Sequence, residues 1–535
     1  MTTNLVLSGD QFDGLSAGYG TPDALGILRD GQLTKRKLLL ATLIEKHGHG
    51  LAVDLLLRAE AAAPAVVGDV LRHPHLDGWA TQALRTDEDL GYLGLVAASA
   101  ALQAGLDFEI AVPVTDGQVY LPGLGAAAVP GEETVVRGDG TVGPVRIGGP
   151  GWTATHVVEL EPAFEILVED QEPFRDVYQW RPEPRLDDDA AARFAGLLRD
   201  AWSILVDRHP RHADAMRVLL RMIVPLAKPA GGGNVSAASR QASGSIAVMI
   251  PRTAEELSLL MLHEFMHMKL DALRDLVDLH HVQAKGLFLA PWRMDPRPVG
   301  PLFQGIYAHA GVTDYWRKRR LTADAPAVAD VEFAYWRQQN RLAIEALAQS
   351  GELTQLGDRF VAGLRQTLES WQQEHVPDDV RRGVETMVLA QTIRWRLRNW
   401  DPSDSEVTML ARAWQRGERP EPVDLTGVLR GESQGEASSI PGIVGQIRGA
   451  LAGRRPTDEA DLAYIEGDDV RAMRLYADRL RNKDQDDAWV GFALATGGLA
   501  HQRPDLLQAV VRKLPPSTDS VAVATWMRAL TCQGG

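Results

Sequence analysis

Apolar side chains change their spacing several times along the chain. Over residues 1–106 they fall at helical spacing, with Leu38, Leu39, Leu40, Leu43 and Ile44 followed by Leu51 and the run 53–57, and Arg and Glu between them. A period near 3.6 gathers such positions on one face, so this region predicts helices. From Phe108 the texture becomes short β-branched runs divided by Gly, Pro and Asp, as in 108–113, 118–122, 134–140, 144–148, 156–160 and 163–168. This pattern predicts a small antiparallel β region over 107–170, serving as a binding surface or, on the plainer reading, as a wall against the next domain. Asp187, Asp188 and Asp189 then supply an acidic helix start, and helices are expected through Trp202 to Leu226. A Gly/Ser-rich stretch over 229–244 precedes an apolar run at 245–250 that reads as a strand.

The next helix carries the chemistry. Thr253 is its expected N-cap, with Glu256 three residues on as the other half of a capping box. It is expected to reach about His280, with Leu257, Leu260, Met261, Phe265, Met268, Leu273, Leu276 and Val277 on its apolar stripe. Within it stands His263-Glu264-Phe265-Met266-His267. Residues four apart share a helix face, with Cβ atoms roughly 6 Å apart. Two imidazoles so placed can reach one metal ion at about 2.0–2.1 Å.

A site needs a third ligand. Two common local solutions are a Glu on a nearby following helix and a third His in the pattern His-x-x-Gly-x-x-His. No Glu occurs between Glu264 and Glu332, and Leu270 and Leu273 stand where that pattern requires Gly and His. The candidates that remain are Asp271, Asp275, Asp278, His280, His281, Asp295, His309 and Asp314. Asp271 lies about 12 Å along the axis from His263 at 1.5 Å per residue, so it suits a hydrogen bond to His267 better than the same ion. His280 and His281 are further still. His309 sits in a second helical pattern, 302–317, where Gly305, Ala308, Ala310 and Gly311 allow close approach of another helix. His309 is favoured, with Asp314 next.

Between the two helices runs Ala290-Pro291-Trp292-Arg293-Met294-Asp295-Pro296-Arg297-Pro298. Prolines stiffen the loop, and Arg293 and Arg297 held in it suit bidentate binding of a carboxylate; the alternative is that they pair with Asp295. Two other histidines, His73 and His75, flank Pro74 with no third ligand at metal spacing, and a metal role is not expected of them.

These stretches together resemble the HExxH-motif peptide-modification family, found beside or fused to radical-SAM peptide maturases. The resemblance is carried by 263–270, by 290–298, by Gln304-Gly305-Ile306-Tyr307-Ala308-His309, by Asp314-Tyr315-Trp316-Arg317 and by 350–360, and covers about residues 235–375. Some members are iron(II)- and 2-oxoglutarate-dependent hydroxylases that use O₂ to hydroxylate the β-carbon of a residue in a ribosomally made precursor peptide. The resemblance implies His263, His267 and His309 as iron ligands, and Arg293 or Arg297 as anchors of the 2-oxoglutarate carboxylate. A three-histidine set departs from the usual pairing of two His with one carboxylate. Glu264 would be the general base in a zinc hydrolase, whereas in an oxygenase it would orient water, substrate or a ligand. Two rival readings follow: a zinc(II) peptidase that matures a precursor peptide, and a noncatalytic peptide-binding partner of a radical-SAM maturase.

After Arg320 the pattern is mostly helical, over 325–371 and 378–400, with a Gly/Ser-rich linker at 427–445. Residues 458–514 read as helix pairs resembling tetratricopeptide repeats, which form peptide grooves or simply pack; packing is favoured. The expected organisation is an N-terminal helical region (1–106), a small β region (107–170), a metal-binding catalytic domain (171–330), a helical extension (331–426) and a C-terminal helical region (447–535). The fold class is mainly α, multidomain α+β.

Composition narrows the partners. At 535 residues one core is not enough, and 45% hydrophobic with 24% charged residues is an ordinary globular balance. A formal charge of −15 disfavours nucleic acid and anionic membranes. The single cysteine, Cys532, excludes a disulfide framework or iron–sulfur cluster built within the chain. No basic and apolar secretory leader opens the chain, and no apolar run approaches the ~18–20 residues of a membrane span, so the expected location is the cytoplasm.

Overall fold

A computed structural model describes residues 5–229, 234–419, 427–430 and 440–528. Part of the expected Gly/Ser stretch (230–233), much of the expected linker (431–439) and Cys532 lie outside the described residues. The chain forms two compact units: Met1–Leu279 with Gln355–Leu364, and His280–Thr354 with Arg365–Gly535.

In the first unit the helical spacing of the opening residues becomes α1 (Gly9–Ser16), α2 (Pro22–His47), α3 (Leu51–Ala62), α4 (Pro64–Leu71), α5 (Leu76–Thr86) and α6 (Tyr92–Gln103). The middle of α6, from Gly94 to Ala101, is buried all round, as an alanine-rich helix must be when its neighbours leave it no polar face. Arg36 of α2 is buried against Asp77 of α5 through two hydrogen bonds of 2.9 and 3.2 Å. Seven short strands follow: β1 (Glu109–Pro113), β2 (Gln118–Leu121), β3 (Gly125–Ala128), β4 (Glu133–Arg137), β5 (Thr141–Val142), β6 (Val145–Arg146) and β7 (Trp152–Ala154). They make two antiparallel sheets, ordered β1-β4-β5-β6 and β2-β3-β7.

The next two strands, β8 (His156–Glu161) and β9 (Phe164–Val168), leave those sheets for a third. Helices α7 (Asp188–Arg208) and α8 (Pro210–Leu219) intervene before β10 (Met222–Leu226), β11 (Ser236–Ala238) and β12 (Ser245–Met249) complete it in the order β11-β12-β10-β9-β8. β10 runs parallel to both β9 and β12, with Met222 opposite Ser245 and Leu226 opposite Met249. The expectation of helix as far as Leu226 is therefore corrected. A central parallel strand is buried on both faces and reads as an unbroken apolar run, which periodicity alone does not separate from a buried helix.

From β12 the chain enters α9 (Ala254–Arg274). Thr253 Oγ1 accepts from Glu256 N–H at 3.2 Å as expected, but Glu256 reaches back to Arg252 N–H, one residue before the cap. The helix stops at Arg274 rather than near His280. The carboxylate of Asp275 is held by Gln32 at 3.0 Å, Lys35 at 2.9 Å and Arg240 at 2.6 Å, and these contacts with distant residues draw the chain away from the helix axis.

The second unit begins with a small hairpin, β13 (Leu287–Phe288) with β14 (Arg297–Pro298), and α10 (Val299–Arg319) starts directly from it. It packs most extensively on α11 (Ala329–Ala348). Helix α12 (Gln355–Gln372) contributes its first ten residues to the first unit. Helix α13 (Asp378–Asn399) leads through β15 (Trp400–Asp401) into α14 (Asp404–Arg416), and β16 (Val428–Leu429) pairs with β15. The remainder is helical: α15 (Gly442–Leu451), α16 (Glu459–Ile465), α17 (Asp469–Asn482), α18 (Asp486–Thr496), α19 (Leu499–Gln502), α20 (Pro504–Lys513) and α21 (Ser520–Met527). Gly491 lets α18 close on α17, because a Cβ there would lie 2.1 Å from the Tyr476 ring. The fold is thus mainly α with small sheets, as the pattern predicts. No described helix is long and apolar enough to cross a membrane.

Candidate metal centre and arginine loop

The motif helix is positioned by burial. Leu257, Met261, Leu262, Phe265 and Met266 are fully buried on α9. At roughly 1.5–3 kcal/mol for each such side chain, this outweighs any propensity term and fixes the helix rotation. Helical spacing brings His263 and His267 together, with ring centroids 4.9 Å apart and planes at 81°. The His263 side chain keeps 22% exposure.

Glu264, 100° further round, points into the protein and is 3% exposed. Its Oε1 accepts a hydrogen bond of 2.7 Å from Ser236 Oγ, and its carboxylate also accepts from Ala238 N–H, both on β11. Burial pushes this carboxyl above its usual range, while His267, Ser236 and Ala238 pull the other way. Five consecutive residues of α9 thus carry two different constellations, a histidine pair and a carboxylate tied to the sheet edge. On the same helix Lys269 is fully buried and donates to Gly18 O at 2.6 Å and Tyr19 O at 3.1 Å. Burial, with Arg211 adding to it, pulls its ammonium down to about 7.

In the second unit His309 is 7% exposed and lies between two indoles, Trp292 stacked at 4.6 Å and Trp336 at 4.3 Å. Its Nδ1 is 2.9 Å from Gly305 O. A carbonyl only accepts, so Nδ1 carries the hydrogen and Nε2 is the basic nitrogen, the tautomer a metal-binding histidine uses. Gly305 is required for this arrangement, since a Cβ there would lie 1.9 Å from the Trp292 ring. Asp314, the second candidate for a third ligand, is buried and paired with Arg317 at 3.0 Å.

The arginine loop is fastened from α13: Gln391 donates to Pro291 O at 3.2 Å and Asn399 to Met294 O at 2.7 Å. Asp295 lies between the two guanidinium groups, 2.7 Å from Arg293 Nε and 2.9 Å from Arg297 Nη1. Burial alone would raise its carboxyl, but these two hydrogen bonds outweigh it and hold Asp295 below the usual range. The pairing with Asp295 is therefore present for both arginines. Each commits one nitrogen to it, which leaves the other N–H groups of the fork for a further carboxylate.

His263, Glu264 and His267 thus belong to the first unit, and His309, Arg293 and Arg297 to the second. Among the described residues no three His, Cys, Asp or Glu side chains are gathered so as to hold a metal ion. Of the other candidates, Asp271 pairs with Arg274 at 3.4 Å, while His280 and His281 lie beyond the helix and bridge to Leu353 and Glu352.

One polar cluster has no trace in the sequence pattern. His73 and His75 are buried with Tyr92, Tyr120, Tyr178, Glu169 and Glu172. Their partners lie some 45 to 100 residues on in the chain, so only the fold brings them together. No family model matches the chain, and no curated protein matches it.

Proposed function

We propose that the protein is an iron(II)- and 2-oxoglutarate-dependent hydroxylase that acts on the β-carbon of a residue in a ribosomally made precursor peptide, in the cytoplasm beside a radical-SAM maturase. The observation that favours this over hydrolysis is the state of Glu264. Ser236 Oγ and Ala238 N–H already hold its carboxylate, so part of the acceptor capacity a zinc peptidase needs on its general base is engaged in holding β11. His263 and His267 are suited to hold the metal as a pair, and His309 has the matching tautomer, with Nδ1 satisfied and Nε2 basic. When bound, iron(II) with 2-oxoglutarate and O₂ supplies the oxidising power for hydroxylation. Arg293 and Arg297 bind the cosubstrate carboxylate through the N–H groups that Asp295 does not use, and Asp295 keeps both forks oriented. Trp292 and Trp336 exclude water from around His309 and fix its ring plane.

The test is anaerobic purification with metal analysis, followed by incubation of the precursor peptide with iron(II), 2-oxoglutarate and O₂. The expected outcome is succinate release with a peptide heavier by one oxygen atom. His263→Ala and His309→Ala are each expected to abolish stoichiometric iron binding. Peptide cleavage supported by zinc alone would overturn the reading in favour of the peptidase. Full iron retention in His309→Ala would remove that residue from the ligand set.

A further inference from the structure

Within the second unit, His309 stands where two stripes of residues face each other. On α10, Gly305, His309 and Thr313 lie four apart, and on α11 Glu332, Trp336 and Asn340 do the same. Residues at this spacing share a helix face. The stripes meet at two points. The Trp336 indole lies 4.3 Å from the His309 ring, and Asn340 Nδ2 donates to Thr313 Oγ1 at 3.0 Å. Thr313 Oγ1 in turn donates to His309 O at 2.7 Å, so the backbone under the imidazole is tied to α11.

The two indoles against His309 are fastened differently. Trp292 belongs to the arginine loop, which α13 pins at Pro291 O and Met294 O, and it lies nearly parallel to the imidazole at 13°. Trp336 is tilted by 36°, and its Nε1–H donates to Glu332 Oε2 at 3.2 Å. Glu332 Oε1 is 2.9 Å from Arg448 Nε on α15, an ion pair without the alignment of a hydrogen bond. One oxygen of this carboxylate thus serves the indole and the other the guanidinium.

Glu332 is largely buried. Burial pushes its carboxyl above the usual range, and Arg448 and Trp336 pull the other way. Packing alone would favour an apolar residue there, since a carboxylate out of water is unfavourable unless paired. What the carboxylate adds is direction. An indole has broad freedom about its Cβ–Cγ bond, and an acceptor at a fixed point selects one orientation of its face.

We propose that Glu332 is a positioning residue for His309: by holding the Trp336 N–H it keeps the indole against the imidazole and so fixes the direction in which Nε2 points. This rests on His309 as a metal ligand. Its Nδ1 is anchored on Gly305 O, and the two indoles remove the rotation that this single bond leaves. A metal bound at Nε2 lies in the ring plane, so the plane decides where an ion can sit.

Anaerobic iron(II) titration of the metal-free full chain tests this. Glu332→Asp keeps the charge beside Arg448 but withdraws the acceptor by one methylene, and is expected to weaken iron(II) binding about tenfold. Glu332→Gln combined with Arg448→Met keeps the reach and the acceptor oxygen and removes the ion pair; its affinity is expected to stay within about twofold of wild type. A role in folding alone would lower stability and leave the affinity of the folded protein unchanged. In metal-free protein carrying 5-fluorotryptophan, the Trp336 fluorine resonance, assigned by its loss in Trp336→Phe, is expected to move in Glu332→Asp and to hold in the double variant. An unchanged affinity or an unmoved resonance in Glu332→Asp overturns the proposal, as does an equal loss of affinity in the double variant. His309→Ala is titrated in parallel. If its affinity equals wild type, the ligand assignment falls and the proposal with it; a weakened His309→Ala beside an unchanged Glu332→Asp removes the role of Glu332 alone.

Discussion

At the scale of single residues, Glu264 and His309 carry the most chemical information, and both do so through hydrogen bonds to backbone or side chains beside them. Glu264 is buried with two protein donors on its carboxylate. Removing it leaves Ser236 Oγ and Ala238 N–H unpaired, so Glu264→Ala is expected to lower stability by about 1–3 kcal/mol in urea unfolding. Glu264→Gln keeps an acceptor oxygen and is expected to retain near wild-type stability and stoichiometric iron. A peptidase would instead lose essentially all hydrolysis in Glu264→Gln, so activity measured beside metal content separates the two roles. His263, Glu264 and His267 were legible in the sequence because helical spacing alone dictates that the two imidazoles share a face. The commitment of Glu264 to β11 was not legible, because Ser236 lies 28 residues earlier on a separate strand.

At the scale of elements, α9 and α10 follow from apolar spacing and local start signals. Their ends, and the strands beside them, follow from distant partners. Helix α16 illustrates how such packing tunes a side chain. Asp461 is 8% exposed and accepts from Tyr476 OH. Burial raises its carboxyl from the ordinary 3.8 to about 6, against the pull of Tyr476 and Arg479. A carboxyl whose folded pKa lies above its unfolded value contributes most below the unfolded pKa, and that contribution is lost as pH rises through the folded one. Between about pH 4 and pH 6 the fold therefore loses about 3 kcal/mol at this residue, at about 1.4 kcal/mol per pKa unit. Asp461→Asn keeps an acceptor for Tyr476 and removes the titration. Its melting temperature is expected to match the wild type near pH 4 and exceed it near pH 7; parallel curves across that range would refute the assignment.

At the scale of the whole molecule, charge and length bear on the partners to be expected and on the architecture. A formal charge of −15 on 535 residues disfavours a general phosphate-backbone surface. Arg72 and Arg221 line a half-open pocket and not a tract along which a strand could lie. Electrophoretic mobility shifts with a DNA duplex or a single-stranded RNA are therefore expected to show no retarded band at physiological salt. Two compact units agree with a length that exceeds what one hydrophobic core supports.

By itself the sequence determined what depends on neighbours a few residues away: the helices of the first hundred residues, the turn-rich strands after Phe108, the histidine pair on α9, the stiff arginine loop and the mainly helical class. Only the tertiary structure decided what depends on partners far along the chain. It turned 222–226 into a central parallel strand, stopped α9 at Arg274, tied Glu264 to β11 and buried His73 against Tyr120 beside an arginine-lined cavity. The physical reason is the same throughout. Periodicity reports which face of an element is apolar, whereas hydrogen-bond partners, protonation states and cavities are properties of groups that meet only after the chain has folded.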